Sequence, residues 1–140
     1  MSPIDRDLLA ERAQAIDRHL ARVAEKLPPT ADVLVPATDA SDAVVLHLWQ
    51  ATQMVIDVAT AMCLRLSLGT PTSYADAFDR LRDAGVIDAA LATRLVRAAG
   101  FRNVVAHAYE RLDMLRVFEA ARSGPADLRA LLAAVRDRLS

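Results

Sequence analysis

The chain of 140 residues contains a single cysteine, a single lysine and a single asparagine, and each scarcity narrows what it can be. With Cys63 alone there is no internal disulfide framework, which fits a reducing compartment. No stretch reaches the roughly 18 uninterrupted apolar residues that a membrane span needs. The opening run from Met1 to Asp7 is too polar and acidic for a signal peptide. His19, His47 and His107 stand 28 and 60 residues apart, so no metal-ligand spacing appears, and neither metal nor cofactor is expected. What remains is a cytoplasmic protein of one domain, residues 1–140. A chain this long buries roughly two-thirds of its unfolded surface, and 54% apolar with 25% charged residues is a globular balance.

Charge of one sign is also missing. The net charge of −1 excludes an electrostatic nucleic-acid binder of the whole-molecule kind. The distribution is uneven: residues 1–63 sum to −4, residues 64–93 to −1 and residues 94–140 to +4. The last third can therefore present positive surface to phosphates. Sixteen of the 17 basic residues are Arg. The guanidinium fork suits phosphate, but a GC-rich coding genome gives the same bias and is the better explanation.

No segment alternates at period two for long enough to make a sheet, whereas every long segment reads at helical period. Ser2 and Pro3 open a first helix with Asp5 and Asp7 in its first turn. Its stripe is Leu9, Ala13, Ile16, Leu20, Val23 and Leu27, and Pro28-Pro29 stops it. Residues 28–41 predict a loop with a short extended piece at Val33 to Val35. Ser41 begins a second helix that runs to about Leu68, where Gly69 and Pro71 end it. That helix is apolar almost all round, so it is central in a bundle or shared with another subunit. Ser73 with Asp76 resembles a capping box for a short third helix ending at Gly85. Asp88 caps a fourth that reaches about Tyr109, a fifth covers about 112–122, and Pro125 opens a sixth. The expected fold class is all-α, an antiparallel bundle of five to six helices.

Two groups of polar residues stand out. On the second helix, His47, Gln50, Gln53 and Asp57 interrupt the apolar surface. At 100° per residue Gln50 and Asp57 fall within about 20° of each other and His47 about 60° from Gln50. The stripe is either a solvent-facing edge or a set of groups that orients a catalytic side chain on a neighbouring helix. A buried carboxylate is costly unless paired, so both readings predict an arginine partner for Asp57. The second group is Arg102, Asn103, His107 and Tyr109, in the segment after Ala98, Ala99 and Gly100. On an ideal helix Arg102 and Tyr109 share a face, while His107 lies about 140° from Arg102. Two copies meeting at a two-fold axis would bring the divergent groups into one composite site. His107 can serve as base or acid near neutral pH, and Arg102 can hold a phosphate and its developing charge. A buried histidine in a helical bundle is more often structural, and the company of Arg102, Asn103 and Tyr109 shifts that balance.

The segment resembles the HepT-like branch of the HEPN superfamily (higher eukaryotes and prokaryotes nucleotide-binding domains). The signature is Arg, four residues, His, one residue, Tyr, usually with a polar residue after the Arg, and Arg102, Asn103, His107 and Tyr109 match each position. The likeness extends upstream through Pro71 to Asp88 and to the second helix with Gln50 and Asp57, about residues 42–118 in all. The resemblance implies a homodimeric HEPN-like bundle, the toxin of a toxin–antitoxin pair, that cleaves RNA (tRNA or mRNA) without metal. It implies Arg102 and His107 as catalytic residues, with Asn103, Asp57 and Gln50 in support. It further implies an MntA-type nucleotidyltransferase antitoxin that transfers AMP to Tyr109, and no membrane partner. The alternatives are a non-catalytic helical module that docks onto a nucleotidyltransferase, and a dimerisation bundle with a structural histidine.

Overall fold

The computed structural model describes residues 4–108 and 113–140, with the backbone alone at 103, 104 and 106–108. Five helices make an antiparallel bundle: α1 (Arg6–Lys26), α2 (Asp39–Arg65), α3 (Tyr74–Asp83), α4 (Ala89–Ala108) and α5 (Met114–Leu139). No strand occurs among the described residues. None of the helices there is long and apolar enough to cross a membrane.

The stripe on α1 does what its spacing requires: Leu9, Ile16, Leu20 and Val23 are all buried. The helix starts later than Ser2 would have it. Asp5 is extended and its carboxylate accepts the Leu8 N–H at 2.8 Å, placing a negative charge on the helix's positive end. Ser2 and Pro3 lie outside the described residues. The connection to α2 holds a 3₁₀ turn at Ala31–Val33, so the extended piece expected at 33–35 is absent. The Val33 and Leu34 N–H groups close the turn on the Thr30 and Ala31 carbonyls at 3.3 and 3.1 Å, with Leu34 buried and Val33 and Val35 facing solvent.

α2 begins before Ser41, because Thr38 and Ser41 form the capping box between them. The Thr38 hydroxyl accepts the Ser41 N–H at 3.2 Å, and the Ser41 hydroxyl accepts the Thr38 N–H at 3.1 Å. The helix packs against each of the other four, and Val44, Ala51, Val55, Val58 and Met62 are fully enclosed. Cys63 is buried there as well, its Sγ directed at the Ala77 carbonyl, and burial pushes its thiol pKa up. It serves as a small apolar core residue.

Ser73 caps α3 as expected, accepting the Asp76 N–H at 3.0 Å, but Asp76 does not close the box. Its carboxylate instead accepts from the Thr72 N–H and from Arg80 Nε, both at 2.9 Å, which hold its pKa below the ordinary carboxylate range. Arg80 also donates to the Leu68 carbonyl. The chain must then pass under the guanidinium, which explains Gly69: its φ is +88°, and a Cβ there would lie 2.9 Å from Arg80 Nη1.

Asp88 caps α4 through the Leu91 N–H at 2.7 Å. The two helices expected around Pro125 are one, α5, with the proline inside. Val117, Phe118, Ala121, Gly124, Leu128, Leu131, Leu132 and Val135 form one buried stripe that stays in phase across residue 125. Burial of that face outweighs the hydrogen bond that proline denies the Ala121 carbonyl.

Candidate functional site

Arg102 sits half-buried on α4, where that helix leans on α2. Its Nε–H donates to the side-chain carbonyl of Gln53. The Gln53 amide in turn donates to Asp57 Oδ1 at 2.9 Å. Gln53 and Asp57 are one helical turn apart, so the spacing alone brings them together on the helix surface. The result is a relay from an exposed carboxylate through a neutral amide to a guanidinium on the next helix.

The arginine partner expected for Asp57 is not found among the described residues: its carboxylate accepts from Gln53, and it is Gln53 that meets Arg102. Asp57 is exposed, so it does not need the direct pairing that a buried carboxylate would. Gln50 is half-buried on the same helix and has no side-chain hydrogen bond among the described residues. It faces Asp57 from two turns away, beyond the reach of one glutamine, whereas Gln53 stands at i−4. That i, i+4 Gln–Asp spacing was the signal for Gln53. His47 also leaves this group: its Nδ1 meets Nδ1 of His19 on α1 at 3.0 Å. Burial, then the charges of His47 and Arg18, lower the His19 pKa from the ordinary 6.5.

His107 belongs to α4, five residues past Arg102 on one continuous helix, and Asn103 follows Arg102 directly. Their side chains, and Tyr109 altogether, lie outside the described residues. A cleft of about 880 Å³ runs between α4 and α5, with Phe101 and Val117 in its floor and Arg97 and Arg116 along it. Among the described residues of the last third, every arginine but Arg102 is exposed, and several are spent in pairs. Arg94 meets Asp127 at 2.9 Å, which ties α4 to α5, and Arg129 meets Asp17 at 3.2 Å, which ties α5 to α1.

The chain is an all-helical bundle in which the central α2 seats an arginine of α4. The family profile described as Ribonuclease HepT-like matches residues 16–135, and the chain belongs to that family. The mRNA nuclease HepT of Shewanella oneidensis is 32% identical over 73 residues, an alignment that spans 52% of this chain and 55% of that protein. Among solved structures, the tri-AMPylated Shewanella oneidensis HEPN toxin in complex with MNT antitoxin superposes with a TM-score of 0.83. It is 22% identical, and the match covers 94% of this chain and 98% of the other. YutE, a cytosolic protein of unknown function from Bacillus subtilis, has the same fold at a TM-score of 0.81 and 16% identity, covering 99% of this chain and 93% of YutE.

Proposed function

We propose that this protein is a metal-independent endoribonuclease, the toxin of a toxin–antitoxin pair, acting as a homodimer in the cytoplasm. The observation that carries the reading is the Arg102, His107, Tyr109 spacing in the sequence of a HepT-like chain, with Arg102 and His107 on α4. The seat that Gln53 makes for Arg102 supports it further. Neutral His107 takes the proton from a ribose 2′-hydroxyl, whose oxygen attacks the adjacent phosphorus. The bond to the 5′-oxygen breaks, that oxygen gains a proton, and a 2′,3′-cyclic phosphate remains. The nucleophile belongs to the substrate, so no metal-bound hydroxide is required. Arg102 holds the scissile phosphate and the charge that builds on it. Proton transfer of this kind is worth roughly 10²–10⁴ in rate, and one such charge contact roughly 10²–10³. Asn103, Asp57 and Gln50 support the site, Asp57 through Gln53. Silencing is by an MntA-type nucleotidyltransferase: the Tyr109 hydroxyl attacks the α-phosphate of ATP and pyrophosphate leaves. The added AMP puts bulk and negative charge two residues along the chain from His107, where it competes with the RNA phosphate for Arg102. The relatives named as an mRNA nuclease and as an AMPylated toxin in complex with an antitoxin support this reading.

The test is cleavage of total RNA by the purified, unmodified protein in EDTA, wild type beside His107→Ala. Cleavage by the wild type alone, with cyclic-phosphate ends, is the expected result. Equal activity in both would remove His107 from the chemistry. Silence of the folded wild type would overturn the ribonuclease reading in favour of the docking module.

A further inference from the structure

Resting on the ribonuclease reading, we infer that Gln53 is the positioning residue of Arg102, and that the site depends on its being uncharged. Nε–H lies in the plane of the guanidinium, so one hydrogen bond at that atom sets both where the planar group stands and which way it faces. A glutamine carbonyl does this as a single neutral acceptor. A carboxylate in its place would form a shorter, charge-assisted and bidentate pair with the arginine. Such a pair would bind the positive charge to α2 and leave a phosphate to compete for it.

Asp57 supplies the other half of the arrangement. An amide can sit either way round, and only one way works here. With Nε2 toward Asp57 and the carbonyl toward Arg102, both contacts are donor to acceptor. Reversed, the amide hydrogens would face the guanidinium hydrogens and the carbonyl would face a carboxylate, two repulsions at once. The exposed carboxylate thus fixes the sense of the glutamine while its own charge stays one side chain away from the arginine. Asp57 acts on Gln53, and Gln53 acts on Arg102.

The experiment uses the full chain with Gln53→Glu, Gln53→Met and Asp57→Asn. Two readouts are taken: cleavage kinetics in EDTA, and affinity for an RNA oligonucleotide with a 2′-deoxy substitution at the cleaved position, measured over a range of salt. Gln53→Glu is expected to keep or raise the melting temperature and to lower kcat/KM about tenfold or more. Its binding is expected to lose about one phosphate contact from the salt slope. Gln53→Met keeps the arginine charge without its seat, so it should lower kcat with little change in the slope. Asp57→Asn, an exposed change that leaves the fold intact, should lower kcat several-fold by freeing the amide to turn. Wild-type kinetics and slope in Gln53→Glu would overturn the inference. If that variant fails to fold, unchanged kcat in Asp57→Asn overturns it instead. A wild type that cleaves nothing overturns the ribonuclease reading, and the oligonucleotide slope then judges Gln53 by itself.

Discussion

Arg102 and Tyr109 are seven residues apart in the sequence, a spacing that would put them two turns apart on one face of a regular helix. On the proposed reading, modification of the tyrosine disarms the arginine without touching the fold. On that reading, added AMP would supply a phosphodiester anion that competes with RNA phosphate for the guanidinium. Removing only the hydroxyl deletes the acceptor and leaves the ring. Tyr109→Phe is therefore expected to fold normally, to retain cleavage within a few-fold, and to gain no AMP when incubated with the nucleotidyltransferase and ATP. Intact-mass spectrometry decides it: an added AMP on the variant would place the acceptor elsewhere. At this scale the motif could be read from the sequence because its members are local, and Arg102 and His107 do share one helix. Gln53 was harder to choose, since face angles put Gln50, Gln53 and Asp57 on one side of α2 without saying which of them meets α4. Only the packing of two helices decides that.

The elements teach a similar lesson about what period can and cannot say. The stripe of α1 was readable because burial follows the 3.6-residue repeat. The continuity of α5 through Pro125 was not readable, because a proline's local cost is visible in sequence while the face it shares with Phe118 and Leu128 is visible only once the bundle exists. The α1–α2 pairing likewise joins residues 28 apart, His19 and His47, which no stripe connects. Their ring centroids are 5.2 Å apart with the Nδ1 atoms at 3.0 Å, so the two nitrogens point nearly head-on. That geometry suits one shared N–H, which requires at least one neutral ring to accept it. Burial, His47 and Arg18 all disfavour charge on His19, so its folded pKa lies below the ordinary 6.5. The unfolded chain then binds the proton first as pH falls. The contact's contribution is complete above about pH 6.5 and is lost as pH drops through the lowered folded value. One part-buried hydrogen bond is worth about 1 kcal/mol, or about 4 °C in melting temperature. His19→Asn offers an amide near the same position that does not titrate. The wild type should lose more stability than this variant between pH 7 and pH 5.5, by thermal unfolding. Parallel losses would show that the histidine pair is not the source.

At the scale of the molecule the decisive fact is that α4 is one unbroken helix through both Arg102 and His107. Five residues of regular helix turn the two positions about 140° apart, and Arg102 meets α2 through Gln53. Positions 102 and 107 of one protomer thus diverge around the axis of α4. A two-fold axis resolves this, because it can set the arginine of one copy beside the histidine of the other and make two such sites per dimer. The proposal gives a sharp expectation for mixtures. Arg102→Ala and His107→Ala, each inactive alone, form heterodimers on exchange in which one site carries both defects and the other carries neither. Random exchange makes half of the dimers hybrid, so the mixture should recover about a quarter of wild-type cleavage. Light scattering must first find a species of twice 15.2 kDa; a wild-type monomer that cleaves RNA would end the argument there. Should both variants be dimeric and exchanging while the mixture stays silent, each protomer must assemble its own site. The helix would then have to bring His107 back toward Arg102 on one side of α4.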